Sequence, residues 1–258
     1  MTNAPASEGS APLVVVEDHG DVRLIRLNRP AARNALNAPL AQAGIDAVEA
    51  GQDAAVIVIT GADPAFCAGL DLRALGVDTL SQLPHFSQAV QDSKVPVIAA
   101  VNGPAVTGGF EVALACDFIV ASDRARFADT HLRVGVYPGP VLVDLPRRVG
   151  TARAREMSLT GNFVDAETAL RIGLANHVVP HDELIPFALE LATAIAEQDR
   201  GMVAAMREDW DATDRLPVAE AHGSHNRFGA ERGYRDGTAE ALASHRSDVI
   251  ARAHRQLS

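Results

Sequence analysis

Two adjacent glycines followed by a glutamate form the stretch of this chain with the clearest chemical potential. Gly108 and Gly109 precede an apolar helical pattern, and Glu111 follows Gly108 by three residues. Glycines at a helix start leave backbone N–H groups open to a ligand oxygen, with the positive end of the helix dipole behind them. A carboxylate on the same side of the first turn is a candidate acid or base. The alternative is that the glycines only allow close packing and Glu111 only complements the helix dipole.

The elements that must position this stretch are two buried strands and the loops that follow them. The apolar run 97–101 predicts a strand, which passes through the turn formers 102–104 into a helix over about 108–115. A second strand, predicted over 55–60, leads into the loop 61–72. Short strands that alternate with helices indicate an α/β chain. Further strands are predicted at 13–17, 22–27 and 118–121, helices at 39–50, about 80–92, 166–171, 183–197, 201–212 and about 238–256, and a polar stretch at 212–235.

Three motifs follow one another along the chain, from Leu27 to Asn37, from Gly61 to Leu72 and from Ala100 to Asp117. Together they resemble the signatures of the crotonase superfamily, the enoyl-CoA hydratase/isomerase family. The resemblance implies a spiral of repeated ββα units with a C-terminal helical region, although the sequence shows no clean internal repeat. It also implies an acyl-CoA substrate and no cofactor, because CoA is carried by the substrate itself.

The resemblance implies an oxyanion hole made of two backbone amides, those of Leu70 and Gly108. Reactions at a thioester pass through an oxyanion, and one such donor is worth about 3 kcal/mol. Arg33 is expected near the nucleotide of CoA, or else as a solvated surface arginine, and Asp71 is expected to cap the turn after Leu70. The full set of substrate-binding residues implied is Arg33, Ala68, Gly69, Asp71, Gly109, Pro138 and Gly139.

At the expected acid/base pair the chain departs from the family that it resembles. Hydratases typically use two glutamates, one at the position of Glu111, and the alignment places His131 at the position of the other. An imidazole, with an unperturbed pKa of about 6.5, can exchange protons at neutral pH and could pair with Glu111 across a water. The alternatives are chemistry on Glu111 alone, or acyl-CoA binding with little turnover. Asp129 is expected to face solvent; otherwise it would orient the imidazole.

Composition and charge argue against several classes of function. The net charge of −10 disfavours nucleic acid as a partner, which needs a basic face. No apolar run reaches the about 20 residues that span a bilayer, so no membrane insertion is expected. Cys67 and Cys116 do not make a disulfide framework in a chain of 258 residues, and we expect them to be reduced and buried in a cytoplasmic protein. The nine histidines show no metal-ligand spacing, so no metal site is expected.

The predicted domain organisation has three parts. Residues 1–12 are expected to be a disordered leader, residues 13–195 a crotonase-like spiral core, and residues 196–258 a helical region for trimerisation. The resemblance implies a homotrimer or a dimer of trimers. The predicted function is that of an enoyl-CoA hydratase, a lyase of fatty acid metabolism that adds water to a trans-2-enoyl-CoA through Glu111 and His131. The alternatives are an isomerase or other crotonase reaction, or a weakly catalytic acyl-CoA-binding protein.

Overall fold

The chain falls into two compact units, Met1–Arg200 and Gly201–Ser258. The computed structural model describes residues 11–71, 83–214, 216–233, 246 and 250–251. The predicted leader lies outside these residues except at positions 11 and 12, and most of the helix predicted over 238–256 lies outside them as well. The predicted domain boundaries and the trimerisation role of the C-terminal region stay predictions.

Two sheets organise the described part of the first unit. The larger consists of β1 (Val14–His19), β2 (Val22–Leu27), β3 (Val56–Gly61), β4 (Val97–Val101), β6 (Phe118–Ser122) and β9 (His177–Val179), in that spatial order. The smaller consists of β5 (Pro104–Val106), β7 (Arg126–Ala128) and β8 (Val164–Asp165). In the larger sheet β1 and β2 pair antiparallel, and all later neighbours pair parallel. The carboxyl ends of β3 and β4 therefore meet at one edge, where ligand sites of such sheets lie.

Helices connect these strands. Those of the first unit are α1 (Ala38–Ala50), α2 (Phe86–Gln91), α3 (Gly108–Ala115), α4 (Val141–Val149), α5 (Thr151–Thr160), α6 (Ala166–Arg171) and α7 (Leu184–Ala196). The side chain of Asn37 begins α1 by accepting a hydrogen bond from the Leu40 amide at 3.0 Å. The helix α8 (Arg200–Thr213) begins at the last residue of the first unit, and α9 (Val218–Glu231) follows it.

The central strands β3 and β4 of the larger sheet are buried on both faces. Along β3, Ile57 and Ile59 belong to one core cluster, which includes the fully buried rings of Phe66, Phe110 and Phe127. The alternate residues Val56 and Val58 belong to a second cluster, which α7 covers with Leu184, Ala188 and Ala192. Because successive strand side chains point to opposite faces, a strand covered on both sides is a continuous apolar run. The apolar run 55–60 predicts a buried strand for that reason, and the prediction is confirmed.

The local structure differs from the sequence prediction in three places. Within the described residues, the helix expected over about 80–92 begins at Phe86, because Pro84 lacks a backbone N–H and disfavours a helix that runs through it. The segment 140–143, for which no helix is predicted, starts α4, with Pro140 directly before its first residue. The stretch 212–235, predicted only to be polar, contains α9. Among the described residues, no helix combines the length and apolar character needed to cross a bilayer.

Candidate active site

The loop after β3 is held between the two other motifs by backbone hydrogen bonds. On one side, the amide of Leu36 donates to the carbonyl of Gly69 at 2.7 Å, and the amide of Asp71 donates to Leu36 at 2.8 Å. On the other side, Cys67 exchanges backbone hydrogen bonds with the segment 104–106 at 3.1 and 2.9 Å. Leu70 lies between Gly69 and Asp71, the two residues that bond to Leu36. In a parallel pairing such an intervening residue points its own N–H away from the neighbouring strand. The N–H of Leu70 accordingly has no hydrogen-bond partner within the described residues.

The second amide belongs to the first residue of α3. The N–H of Gly108 has no partner inside the helix, as is general for the first turn. A Cβ atom at this glycine would touch only the side-chain ends of Leu36 and Leu70, at 3.4 and 3.7 Å. Both Leu70 and Gly108 line a cavity of about 120 Å³, and so do Glu111 and His131. The structure thus brings together the four residues on which the predicted chemistry depends.

Glu111 and His131 form a buried pair inside this cavity. The Glu111 Oε1 and His131 Nε2 atoms are 3.9 Å apart, and their side chains are only 12% and 5% exposed. This separation is too long for a direct hydrogen bond and leaves room for an oxygen atom that contacts both groups. The backbone amide of Val141, at the start of α4, lies 3.4 Å from Glu111 Oε1.

Asp129 fixes the other side of the imidazole. Its Oδ1 atom lies 2.7 Å from His131 Nδ1 and 3.3 Å from the backbone N of His131, and the carboxyl is 1% exposed. The prediction that Asp129 faces solvent is therefore wrong, and the alternative, that it orients the imidazole, is confirmed. The contact does not come from an extended segment, because His131 begins a short 3-10 turn, His131–Val134, just beyond β7.

The two carboxyl groups have pKa values displaced in opposite directions. Burial raises the pKa of Glu111, against the opposing effect of the nearby His131. Burial also acts to raise the pKa of Asp129, but hydrogen bonding to His131 and the proximity of the Ser158 hydroxyl outweigh it and lower that pKa. The Ser158 hydroxyl lies near enough to lower the pKa of Asp129, but the Asp129 Oδ2 atom makes no hydrogen bond within the described residues. Of the two carboxyl groups, Asp129 therefore loses its proton more readily and Glu111 takes one up more readily.

The predicted substrate-binding residues are not among those that line this cavity: Arg33, Ala68, Gly69, Asp71, Gly109, Pro138 and Gly139. Arg33 is exposed, and its backbone carbonyl accepts from the Ala68 amide at 3.0 Å. The Asp71 carboxylate pairs with Arg29 at 3.0 Å. Gly69 adopts a φ of 92°, and Pro138 is buried.

Two of the predicted glycines are explained by what a side chain would meet. A Cβ at Gly109 would collide with the carbonyl oxygen and side chain of Cys67, so this glycine allows close packing of α3 against the loop. A Cβ at Gly139 would lie 2.9 Å from Glu111 Oε1, which places this residue beside the catalytic candidate.

Burial raises the pKa of the Cys67 thiol to about 12, and the expectation that both cysteines are buried and free is confirmed.

Sequence reasoning missed most of the cavity wall. The other lining residues are Leu36, Leu83, Pro84, His85, Phe86, Ser87 and Val112. Leu36 and Val112 lie inside the motifs, next to residues that were selected, and motif position alone could have suggested them. The residues 83–87 carry no local signal, because only the packing of α2 brings them to this place. A larger cavity of about 290 Å³, between α5 and α6, contains none of the predicted site residues.

Asn34 organises the backbone that carries Leu70. This residue is fully buried with a φ of 56°. Its Oδ1 accepts from the Arg29 amide at 2.8 Å, and its Nδ2 donates to the carbonyls of Ala62 and Ala65 at 2.8 and 2.7 Å. One side chain therefore joins the first motif to the loop after β3, and asparagine is among the few residues that tolerate this backbone conformation.

Asn34→Asp is expected to lower the free energy of unfolding by about 3 kcal/mol at pH 8, because two buried carbonyls would face a carboxylate in place of their donors. The loss should shrink at low pH, where a protonated carboxyl again donates one hydrogen bond. Asn28→Asp is the matched control, since Asn28 makes a single side-chain bond, to Pro12, in a more exposed place. Urea unfolding monitored by circular dichroism measures both. Equal losses for the two variants would contradict this role of Asn34.

Fold and site together define an α/β protein with two open amides beside a buried glutamate–histidine pair, at the carboxyl edge of a parallel sheet. The sequence pattern of the enoyl-CoA hydratase/isomerase family matches residues 17–228. A probable enoyl-CoA hydratase from Rhizobium meliloti (strain 1021) is 39% identical over 216 residues, which cover 80% of this chain and 84% of that protein. The chain belongs to the enoyl-CoA hydratase/isomerase family.

Further comparisons support this assignment. A probable peroxisomal enoyl-CoA hydratase from Arabidopsis thaliana is 38% identical over 198 residues, covering 73% of this chain and 74% of that one. The crystal structure of an enoyl-CoA hydratase subunit from Geobacillus kaustophilus HTA426 is 31% identical, with a TM-score of 0.83 over 92% of this chain and 95% of that chain. The predicted crotonase-like α/β fold is thereby confirmed.

Proposed function

We propose that this protein is an enoyl-CoA hydratase that adds water to the double bond of a trans-2-enoyl-CoA. The observation that carries the proposal is the 3.9 Å gap between Glu111 Oε1 and His131 Nε2, in the same cavity as the open amides of Leu70 and Gly108. Relatives named as enoyl-CoA hydratases, at 38% and 39% identity, support the same reaction.

In the proposed mechanism, the thioester oxygen accepts hydrogen bonds from Leu70 and Gly108. These donors stabilise the negative charge that reaches this oxygen when a nucleophile adds to C3 of the enoyl group. The enolate is therefore the state that the amides favour, and the thioester itself is the electron acceptor. The proposed chemistry needs only protein groups and the CoA that the substrate carries.

The water is held between the carboxyl and the imidazole. Because His131 Nδ1 faces the Asp129 carboxylate, its proton lies on that side, and Nε2 is left as an acceptor. His131 Nε2 takes one proton from the water while the oxygen bonds to C3, and the Glu111 carboxyl gives its proton to C2. One molecule of water has then been added. Transfer of the proton from His131 to Glu111 through the next water restores the starting state.

We further propose a cytoplasmic homotrimer, or a dimer of trimers, that acts in fatty acid metabolism. Supporting an assembly, α5, α6 and the segment between them expose the large apolar side chains of Leu159, Phe163 and Leu170, by 69%, 57% and 45%. Supporting the location, both cysteines are free. Arg33, exposed beside the Ala68 amide, is the proposed contact for the CoA nucleotide.

The proposal is tested by the loss of the conjugated enoyl-thioester absorbance with short and medium trans-2-enoyl-CoAs. We expect turnover that saturates with substrate and yields the 3-hydroxyacyl-CoA, identified by mass. Saturable binding without any loss of absorbance would contradict the hydratase. Migration of the double bond without a gain of 18 mass units would instead indicate an isomerase.

A further inference from the structure

Thr107, the residue directly before Gly108, has a backbone conformation that threonine rarely adopts. Its φ is 52° and its ψ is −116°, in a region that favours glycine and is unfavourable for a β-branched residue. The other non-glycine residues with positive φ in the described part of the chain are Arg33 and Asn34, neither of them β-branched. Such a conformation persists only where the surrounding structure enforces it.

Three hydrogen bonds enforce the conformation of Thr107. Its N–H donates to the carbonyl of Ala128 at 2.9 Å, and its carbonyl accepts from the Glu111 amide at 2.9 Å. Its hydroxyl is paired with the hydroxyl of Thr130, with the two Oγ1 atoms 2.6 Å apart. A glycine could adopt this backbone conformation freely but could not make the third bond. Thr107 is only 5% exposed, so water hardly competes with these hydrogen bonds.

The two partners of the hydroxyl pair each precede a site residue. The ψ angle of Thr107 sets the plane of the peptide that carries the Gly108 N–H, and Thr130 is followed at once by His131. Neither threonine lines the cavity, so neither is placed to touch the substrate. We infer that Thr107 and Thr130 are positioning residues, whose hydroxyl pair holds the Gly108 amide and the His131 imidazole in register with each other.

This inference rests on the proposed function, because the amide and the imidazole must act on one substrate. The thioester oxygen and C3, the carbon to which the water adds, are parts of a single rigid enoyl group, so the amide that binds the oxygen and the imidazole that holds the water cannot shift independently. A misplacement of about 1 Å can lower a rate about 10²-fold. A loosened hydroxyl pair should therefore slow the chemical step while leaving substrate binding nearly intact.

The test uses the near-isosteric variants Thr107→Val and Thr130→Val, their double mutant, and Thr107→Ser and Thr130→Ser as conservative controls. We expect each valine variant to lower kcat about tenfold or more with little change in KM, and each serine variant to stay near wild type. The double mutant should be little slower than the slower single mutant, because both remove the same bond. Thermal unfolding identifies any variant that loses its fold, and Thr130→Val, at a half-buried position, carries the test if Thr107→Val does not fold.

A second readout separates positioning from general damage. The probe is a saturated acyl-CoA labelled with ¹³C at the thioester carbonyl. The infrared stretching frequency of this carbonyl should decrease when the probe binds to the wild type, and should decrease less when it binds to Thr107→Val. Valine variants with wild-type kcat and carbonyl frequency would overturn the inference, and so would multiplicative effects in the double mutant. A wild type that binds the labelled acyl-CoA but hydrates nothing would overturn the proposed function alone, since the carbonyl readout still tests the hydroxyl pair. A wild type that binds no acyl-CoA would overturn both.

Discussion

Glu111→Gln is expected to lower kcat for enoyl-CoA hydration by about 10²–10⁴-fold, the usual consequence of losing a positioned proton carrier. Glutamine has the same shape and can still hold the water, but it cannot give a proton to C2. KM should change little, because the Leu70 and Gly108 amides and the cavity walls are untouched. Glu156→Gln is the matched control: Glu156 lies on the exposed side of α5, paired with Arg153, and its replacement should leave kcat unchanged.

The same substitution should not destabilise the fold. Burial raises the folded-state pKa of Glu111 above its unfolded value, so the ionised side chain lowers the stability of the folded protein. This loss develops as the pH rises from the unfolded pKa through the folded pKa, and it is complete above both. A neutral glutamine should therefore be at least as stable as wild type at pH 8, with the advantage disappearing below the unfolded pKa. A variant that is both inactive and unfolded more easily at pH 8 would contradict this account of Glu111.

The parts of the site that local pattern could predict are those that lie within one continuous motif. Gly108, Glu111 and the loop that ends in Leu70 are recognisable because a strand, a turn and a helix start follow one another in the sequence. Spacing offered the contact of Asp129 with His131 only as an alternative, because residues two apart share a face of an extended segment. The structure makes the contact through a 3-10 turn, which that spacing does not predict.

Other features depend wholly on tertiary structure. His85 reaches the cavity through the packing of α2, which no periodicity reveals. Threonine at position 107 would be assigned to an extended or helical backbone on its own preferences, yet the contacts with Ala128 and Thr130 enforce a positive φ. The helix α9 escaped notice because it has no buried residue among those described, so its sequence shows polarity where a packed helix would show an apolar stripe.

His131→Gln is expected to lower kcat by about 10²-fold or more, because the water would lose the acceptor that takes its proton. The amide of glutamine can hold a water by hydrogen bonding but cannot accept a proton at neutral pH. The matched control is His85→Gln, which alters another histidine of the same cavity that lies at the exposed start of α2. Turnover of the control at near the wild-type rate would show that loss of activity follows the buried imidazole and not any change of the cavity wall.

Asp129→Asn separates the orientation of the imidazole from its presence. An asparagine amide can donate to Nδ1, which would move the ring proton to Nε2 and leave the water without an acceptor, so kcat should fall about tenfold or more. KM should be nearly unchanged, because Asp129 does not line the cavity.

Activity lost in Glu111→Gln but retained in both His131→Gln and Asp129→Asn would contradict the paired mechanism, since it would mean that Glu111 alone carries both proton transfers. Chemistry on one carboxylate is what moving a double bond requires, and migration of the bond in the Asp129→Asn and His131→Gln products would then identify the reaction.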